Sequence, residues 1–367
     1  MNWTVADHRY MARALQLAGR GLYTTHPNPR VGCVLVKEGV VVGEGWHESP
    51  GGPHAEIHAL NAAGDEVRGA TCYVTFEPCP HYGKTAPCVE ALIAAGVSRI
   101  VASMLDPNPK VHGQGLARLA DAGITVEEGL LKGEAERLNA GFVMRMRHGR
   151  PFVRCKLAMS IDGRTAPASG KSQWITSQEA RTDVQRLRAR SSAIVTGIGT
   201  VLADDPALTV RDTASLPPGR QPLRGVIDSK LRMPKAARML GLPGQTLVMT
   251  TSNDLPQWEK LIASGAEVVQ ITECNGHVDL PSALMYLAGL EVNEVLLEAG
   301  ATLSGAMLQN GLIDEIVLYV APIFLGDAGH GLFRLPSLDT LGERVEVDVI
   351  DMRMIGRDLR LTARIAR

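Results

Sequence analysis

Short runs of β-branched and aliphatic residues recur along this 367-residue chain, and most are followed by a stretch with helical spacing of its apolar positions. VGCVLV (31–36), TCYVTF (71–76) and SRIVASM (98–104) read as strands. Pro53 and Pro87 suit helix starts, so helices are expected from His54 to about Ala63 and from Pro87 to Gly96. Strands and helices alternating at such short spacing bury their apolar sides by stacking helices on a sheet, so the fold class is α/β. Lys37-Glu38-Gly39 joins VGCVLV to VVGEG (41–45) as a hairpin. Ahead of it, Asp7 caps a helix whose Tyr10, Met11, Ala14, Leu15 and Ala18 share one face. A proline-broken loop, His26-Pro27-Asn28-Pro29, separates the two.

A helix near 134–147 ends in the basic run Arg145-Met146-Arg147-His148-Gly149-Arg150-Pro151, and the alternation restarts beyond it. The boundary is placed there, giving domains 1–147 and 151–367, each long enough to bury its own core. The second half reads as a strand at 152–159, then a helix from Thr176 to about Arg190 with Thr176 and Glu179 as a capping box. Strands follow near 193–197, 223–228, 246–250, 267–271, 293–298 and 315–321, and a pair near 345–364 closes the sheet as an antiparallel edge.

Lys plus Arg (38) almost balances Asp plus Glu (39). A near-neutral chain lacks the basic footprint of a polynucleotide-binding domain, so a small-molecule substrate is expected and nucleic acid is not. No apolar run approaches the ~18 residues of a membrane span, and the first residues have no apolar h-region. Six irregularly spaced cysteines suit buried apolar groups or metal ligands in a cytoplasmic setting better than disulfides.

The chemistry lies in His54-Ala55-Glu56 and in Pro78-Cys79 followed by Pro87-Cys88. A catalytic zinc takes three protein ligands and keeps one position open for water, and one imidazole with two thiolates meets that need. Glu56 is then the general acid–base: it takes a proton from the attacking water and returns it to departing ammonia. Two residues apart on a helix point about 200° from each other, so His54 and Glu56 share a site only at the very start of their helix. Gly51-Gly52-Pro53 puts the start there, and Cys88 likewise opens a helix, where the macrodipole favours a thiolate. Cys33 and Cys72 lie within strands and read as core. A closed structural site completed by His47, His58 or His81 is the competing reading, and it leaves Glu56 without a task.

TTHPNPRVGCVLV, GWHESPGGPHAEIHAL and TFEPCPHYGKTAPC, with KLAMSIDGRTA and SQWITS further on, closely resemble the bifunctional deaminase–reductases of bacterial riboflavin biosynthesis, across essentially the whole chain. The eight-residue insert PHYGKTAP between the thiols, in place of the two-residue spacing of other zinc deaminases, is that family's own version of the motif. The resemblance implies a cytidine-deaminase-like α/β/α domain followed by a dihydrofolate-reductase-like α/β domain. The first would remove the 2-amino group of 2,5-diamino-6-ribosylamino-4(3H)-pyrimidinone 5′-phosphate, and the second would use NADPH to reduce the ribosyl group of the product to ribityl. It implies His54, Cys79 and Cys88 as ligands of Zn2+, Glu56 as the proton shuttle, and Asn28, His47, His81 and Lys84 as substrate contacts. A homo-oligomer, most simply a dimer, is expected.

On its own residues the second half is harder to read. Thr196-Gly197-Ile198-Gly199-Thr200 follows a strand but Leu202 stands where a dinucleotide fingerprint needs its third glycine. EVLLEAG (294–300) running into a helix at Ala301 offers a glycine-bearing turn for a cofactor phosphate, or merely a tight turn. The resemblance implies NADPH contacts at Ala158, Trp174, Thr200, Asp204, Ser229 and the segment Gly300, Ala301, Thr302, Leu303, Ser304 and Gly305. It implies substrate contacts at Lys156, Ser172, Arg188, Leu208, Arg211 and Glu298. Arg188 and Arg211 have the chemistry of a phosphate clamp, and Glu298 that of a ribose-hydroxyl acceptor. Arg188 as one of a solvated helical row and Trp174 as plain core remain the alternatives. Ser229, Lys230 and Arg232 are weaker candidates for a 2′-phosphate. A nucleic-acid or nucleoside deaminase with an unrelated second domain is the other functional class to weigh.

Overall fold

The structure is a computed structural model describing residues 3–81, 87–170, 174–212, 216–337, 339–340, 342 and 344–366. It divides into two compact units, Met1–Gly149 and Arg150–Arg367.

The first unit begins with α1 (Val5–Gly19), then β1 (Gly32–Lys37), β2 (Val40–Trp46), α2 (Ala55–Ala63), β3 (Thr71–Val74), α3 (Cys88–Ala95) and β4 (Arg99–Ala102). It continues with α4 (Gln114–Asp121), β5 (Thr125–Glu128), α5 (Lys132–Leu138) and α6 (Ala140–His148). The sheet order is β2-β1-β3-β4-β5: β1 is antiparallel to both neighbours, and β3, β4 and β5 run parallel. Period-two alternation divides the core. Val34, Val36, Tyr73 and Val101 face α1, where they meet Tyr10, Met11, Ala14 and Leu17. Cys33, Leu35, Cys72 and Val74 pack with Ala55, Ala59, Val89, Leu92 and Leu119 of α2, α3 and α4. Cys33 and Cys72 are thus core, their sulfurs 3.4 Å apart.

Two sequence expectations shift here. Thr4, not Asp7, is the N-cap of α1: its hydroxyl accepts from the Asp7 N–H at 3.1 Å, and the Asp7 carboxylate answers the Thr4 N–H at 2.9 Å. Asp7 is therefore the N3 member of a capping box. The helix expected at 134–147 is two, α5 and α6, broken at Asn139. The Asn139 side chain accepts from the Arg30 N–H at 2.7 Å and donates to the Arg30 carbonyl at 3.0 Å.

The second unit runs β6 (Phe152–Ser160), β7 (Arg164–Ala166), α7 (Gln178–Arg190), β8 (Ala193–Gly197), α8 (Ile198–Asp204), β9 (Leu223–Ile227), β10 (Thr246–Thr250), α9 (Leu255–Ala263) and β11 (Ala266–Gln270). Then come β12 (Glu273–Cys274), β13 (His277–Val278), α10 (Leu280–Gly289), β14 (Glu294–Leu297), α11 (Ala301–Gln309), β15 (Glu315–Ala321), β16 (His330–Gly331), β17 (Val347–Ile355) and β18 (Asp358–Ile365). Its nine-stranded sheet has the order β11-β10-β9-β8-β14-β6-β15-β18-β17. The strands from β11 to β15 in that order are parallel, and β18 and β17 form the antiparallel edge expected from the sequence. One face packs on α10 and α11 through Val153, Cys155, Val195 and Leu297, the other on α7 and α8 through Ile194, Val226, Leu296 and Val317. Ser177, not Thr176, caps α7, its hydroxyl accepting from the Ala180 N–H. The glycine run at 197–199 opens α8, which ends at Asp204, and this sheet order is not that of a doubly wound dinucleotide-binding domain.

Candidate active sites

In the first unit the expected ligands converge. His54 is the N-cap residue of α2, in extended conformation, and Glu56 lies in the first turn. Because His54 stands outside the helix, the pair escapes the divergence that helical geometry would impose. Glycines decide how closely α2 sits. Gly43 and Gly45 lie on one face of β2, and a Cβ at Gly45 would collide with the Ala55 carbonyl oxygen, one at Gly43 with that of Ala59. Without side chains there, α2 lies directly on the sheet and presents its start to Cys79 and to Cys88, the first residue of α3.

His54 Nδ1 is 3.2 Å from Cys88 Sγ and 3.5 Å from Cys79 Sγ, and the Cys88 N–H points at Cys79 Sγ from 3.3 Å. Among the described residues these three are the only His, Cys, Asp or Glu group whose ligand atoms gather like this, all within 4.8 Å of one another. The hydrogen bond from Cys88 draws the Cys79 thiol down to about 4 against its burial, and His54 adds to that pull. One imidazole nitrogen and two thiol sulfurs, all from element starts and loops, are the donor set of a catalytic zinc and fit it. Glu56 is buried beside them, and burial followed by the nearby Cys79 raises its carboxyl to about 7. It lies outside the ligand group.

His47 packs edge-on against His54, ring centroids 5.4 Å apart. Its Nδ1 lies 3.1 Å from the Pro53 carbonyl, which makes Nδ1 the protonated nitrogen, and its Nε2 accepts from the Asn28 amide at 3.0 Å. Asn28 and His47 thus reach the zinc ligands as one bonded pair. His81 is exposed, and Lys84 lies outside the described residues. The sequence reading missed Glu77. Buried next to Pro78, its carboxylate accepts the backbone N–H groups of Asp106, Gly113, Gly115 and Leu116 at 2.8–3.3 Å. It ties the 106–116 segment to the strand end that carries Cys79. The available signal was an acidic residue directly before a Pro-Cys ligand, where a solvent-facing role is hard to satisfy.

In the second unit Glu298, one residue past β14, receives Arg188 of α7 in a two-pronged ion pair, Nε to Oε1 at 2.6 Å and Nη2 to Oε2 at 3.0 Å. Arg188 Nη1 donates to the Thr209 carbonyl at 3.0 Å. Burial pushes the Glu298 carboxyl up, but Arg188, with Lys156 and Arg211, outweighs it and holds the group below the usual range. Lys156 on β6 is pulled below the ordinary lysine range by burial. Arg188 is therefore no solvated surface residue, and its fork is largely taken by Glu298 and Thr209. Arg211 stays exposed, held through its backbone N–H by Gln185. Leu208 is buried at φ +46, and Ser172 lies outside the described residues.

The expected cofactor positions divide. Gly300 caps α11 without any side-chain hydrogen bond, so the first backbone N–H groups of that helix are left for a ligand. A Cβ on Gly300 would lie 4.0 Å from Thr200 Oγ1, which brings the two segments to one place. Thr302 is exposed, Ala301 and Leu303 are half-buried, with Leu303 packed on the core, and Ser304 is buried against the Ala299 carbonyl. Gly305 has no room for a Cβ because the Arg334 carbonyl lies against it, so its glycine answers packing. Trp174 is 67% exposed with the Arg181 guanidinium 4.8 Å from its ring centre, so it is not core. Asp204 is exposed at the end of α8, while Ala158 and Ser229 are half-buried. An uncapped helix start at the C-terminal edge of parallel strands fits a dinucleotide diphosphate.

Comparison with known proteins agrees with both halves. The cytidine and deoxycytidylate deaminase zinc-binding region matches residues 4–104, and the RibD C-terminal domain matches residues 151–361. The riboflavin biosynthesis protein RibD of Escherichia coli K12 is 52% identical over 362 residues, covering 96% of this chain and 98% of that protein. The Haemophilus influenzae protein of the same name is 44% identical over 384 residues, covering 99% and 98%. Acinetobacter baumannii RibD superposes with a TM-score of 0.91 at 43% identity over 99% of both chains. The Thermotoga maritima diaminohydroxyphosphoribosylaminopyrimidine deaminase/5-amino-6-(5-phosphoribosylamino)uracil reductase does so with 0.86 at 32% identity, over 98% of this chain and 99% of that one. A zinc-ligand cluster at the start of two helices, a separate reductase-type sheet and full-length identity above 50% place the chain in the RibD family of riboflavin biosynthesis, enzymes that join a zinc deaminase to an NADPH-dependent reductase.

Proposed function

We propose that the unit Met1–Gly149 deaminates 2,5-diamino-6-ribosylamino-4(3H)-pyrimidinone 5′-phosphate, and that the unit Arg150–Arg367 then reduces the ribosyl group of the product to ribityl with NADPH. The observation that carries the reading is the approach of His54 Nδ1, Cys79 Sγ and Cys88 Sγ to within 4.8 Å of one another, with Glu56 buried beside them.

His54, Cys79 and Cys88 hold the zinc, which when bound supplies the Lewis acidity that makes water a nucleophile near neutral pH. Glu56 accepts a proton from that water as the C–O bond forms at C2 of the ring. It then passes the proton to the 2-amino group, which leaves as ammonia when the C–N bond breaks. Raising the Glu56 carboxyl to about 7 suits both halves of this exchange, since the group must accept and release a proton. Asn28, oriented by His47, offers a hydrogen bond to the ring edge. His81 and Lys84 lie on the insert between the thiols and supply charge for the phosphate.

In the second unit NADPH supplies the hydride. The backbone N–H groups at the start of α11, with Thr200 alongside, bind its diphosphate. Glu298, held in place by Arg188, and Lys156 orient the ribose hydroxyls, and Arg211 binds the phosphate.

The finer setting follows from the same features. The edge strand β17 exposes Val349, Met352 and Met354, which supports a homodimer paired along that edge. A net charge of −1 supports a small-molecule substrate over a nucleic acid. Free cysteines, Cys274 exposed among them, support a reducing, cytoplasmic compartment. No helix among the described residues is long and apolar enough to cross a membrane.

The test is a coupled assay on purified protein given the diaminopyrimidinone ribosyl phosphate and NADPH. Ammonia release followed by NADPH oxidation is expected. Ammonia without oxidation would refute the reductase reading, and oxidation without ammonia would refute the order of the steps.

A further inference from the structure

Asn139 stands where an asparagine ordinarily caps a helix, and it does not cap. It ends α5 and is the N-cap residue of α6, yet its side chain makes no capping hydrogen bond. Asparagine is among the favoured N-caps because its oxygen satisfies an orphan N–H of the first turn. Here the amide is turned to Arg30 instead, accepting the Arg30 N–H at 2.7 Å and donating to the Arg30 carbonyl at 3.0 Å. Asn139 is 2% exposed, so both ends of a buried amide are spent on the main chain of one distant residue. A helix that forgoes its cap for this grip calls for a reason at the far end of it.

The reason lies two residues before Arg30. Pro27 and Pro29 have no N–H, so from 27 to 30 the main chain donates only from Asn28 and Arg30. The Asn28 N–H goes to the Thr25 carbonyl at 2.8 Å, and that of Arg30 goes to Asn139. The Arg30 guanidinium adds to the hold, Nη1 donating to the Leu138 carbonyl at 2.5 Å and Nη2 to the Leu22 carbonyl at 3.5 Å. Pro29, its φ fixed by the ring, is a stiff link between Arg30 and Asn28. Whatever fixes Arg30 therefore also fixes Asn28.

Asn28 is the residue of this loop that reaches the cluster of His54, Cys79 and Cys88. Its Nδ2 donates to His47 Nε2 at 3.0 Å, His47 Nδ1 is held by the Pro53 carbonyl at 3.1 Å, and Pro53 directly precedes His54. With Nδ2 committed to His47, Oδ1 is left to accept from a substrate. On the reading of Asn28 as a substrate contact, its place must be kept to a few tenths of an ångström, because a hydrogen bond weakens steeply with distance and angle.

We infer that Asn139 is a positioning residue of the deamination step: it clamps the Arg30 main chain so that Asn28 meets the aminopyrimidine ring at hydrogen-bonding distance. Asn28 makes the contact, and Asn139 acts only through it.

Steady-state deamination by the full, zinc-loaded chain, with substitutions taken singly and together, tests this. Asn139→Gly keeps a residue that suits a helix junction and removes the clamp. It is expected to raise KM for the diaminopyrimidinone ribosyl phosphate about tenfold, the scale of one hydrogen bond, and to hold kcat within about twofold. One zinc per chain and unchanged reduction of already deaminated substrate are expected alongside, which a general loss of structure would not leave in place. Asn28→Ala is expected to raise KM at least as much, and in that background Asn139→Gly is expected to add nothing. Asn139→Asp, which still offers the Arg30 N–H an acceptor, serves where the glycine variant fails to fold, with a rise of about threefold expected in the same cycle. An unchanged KM in the Asn139 variant would overturn the inference. So would effects of the two substitutions that multiply in the double variant, since Asn139 would then act by another route. Zinc lost from the Asn139 variant would show that the clamp serves the metal instead. A KM moved by Asn139→Gly but not by Asn28→Ala would overturn the inference together with the role given to Asn28. No ammonia from the wild type would sink the deaminase reading itself, and the inference with it.

Discussion

Arg188 and Glu298, 110 residues apart, are joined by two parallel N–H···O bonds of 2.6 and 3.0 Å just past the C-terminal end of the central strand β14. Both side chains are largely buried, 14% and 11% exposed. Each neutralises the other, and a carboxylate that would be costly to bury alone becomes a fixed acceptor.

Removing one member leaves the other charged and unpaired. Arg188→Ala is expected to destabilise the second unit by about 3 kcal/mol, read from urea unfolding. Arg211→Ala, at an exposed position, is expected to leave stability within about 0.5 kcal/mol and instead raise KM for the phosphorylated substrate far more than for a dephosphorylated one. Equal KM effects on the two substrates would remove its phosphate role.

Glu56→Gln keeps the size of the side chain and removes its basicity. Deamination is expected to fall about 10³-fold or more while zinc content and the reduction of already deaminated substrate stay unchanged. A purified variant that had lost its zinc would show Glu56 to be a ligand. Stripping the metal with a chelator is expected to give the same split, ammonia release lost and reduction of deaminated substrate kept.

Gly45 has no room for a methyl group, because the Ala55 carbonyl oxygen occupies that place. Gly45→Ala is expected to lift α2 from the sheet and move His54 away from Cys79 and Cys88. Zinc stoichiometry below one per chain in otherwise folded protein is the reading that checks it. Full zinc occupancy would show that the start of α2 is placed by something other than this contact.

Asp7 makes part of the first unit's stability depend on pH. Burial pushes its carboxyl up, but hydrogen bonds from Thr4, Tyr73 and Arg99 outweigh that and hold it well below the ordinary carboxylate range. A group with a lowered folded value stabilises above the unfolded value of about 3.9, and the contribution is lost as pH falls through the folded one. Asp7→Asn is therefore expected to cost about 2 kcal/mol at pH 7, with the difference from wild type shrinking below about pH 4. A difference that stayed constant from pH 7 to pH 3 would mean the carboxylate charge contributes nothing.

The α/β class, both sheets' central strands and the gathering of His54, Cys79 and Cys88 were legible in the sequence because each rests on short-range pattern. Alternating apolar residues mark Cys33 to Val36 as a two-faced strand whatever lies around it, and Pro53 or Pro87 starts a helix wherever it stands. Helix ends were less legible. At Thr4 with Asp7, and at Thr176 with Ser177, adjacent residues have nearly equal capping chemistry, and one hydrogen bond chooses between them.

What the sequence determined by itself, then, is which residues form the His/Cys/Cys donor group and which segments form strands or helices, since both follow from residue type and local spacing. Only the tertiary structure decided who meets whom. Arg188 looked free to clamp a phosphate until Glu298 took its fork. Gly305 looked like part of a phosphate turn until the Arg334 backbone filled the space beside it. Glu77 gave only its place before Pro78-Cys79 as a cue, because a buried carboxylate is defined by the backbone N–H groups it collects from residues brought to it by folding. Local pattern encodes the direction of a side chain, but its partner is set by the packing of distant segments.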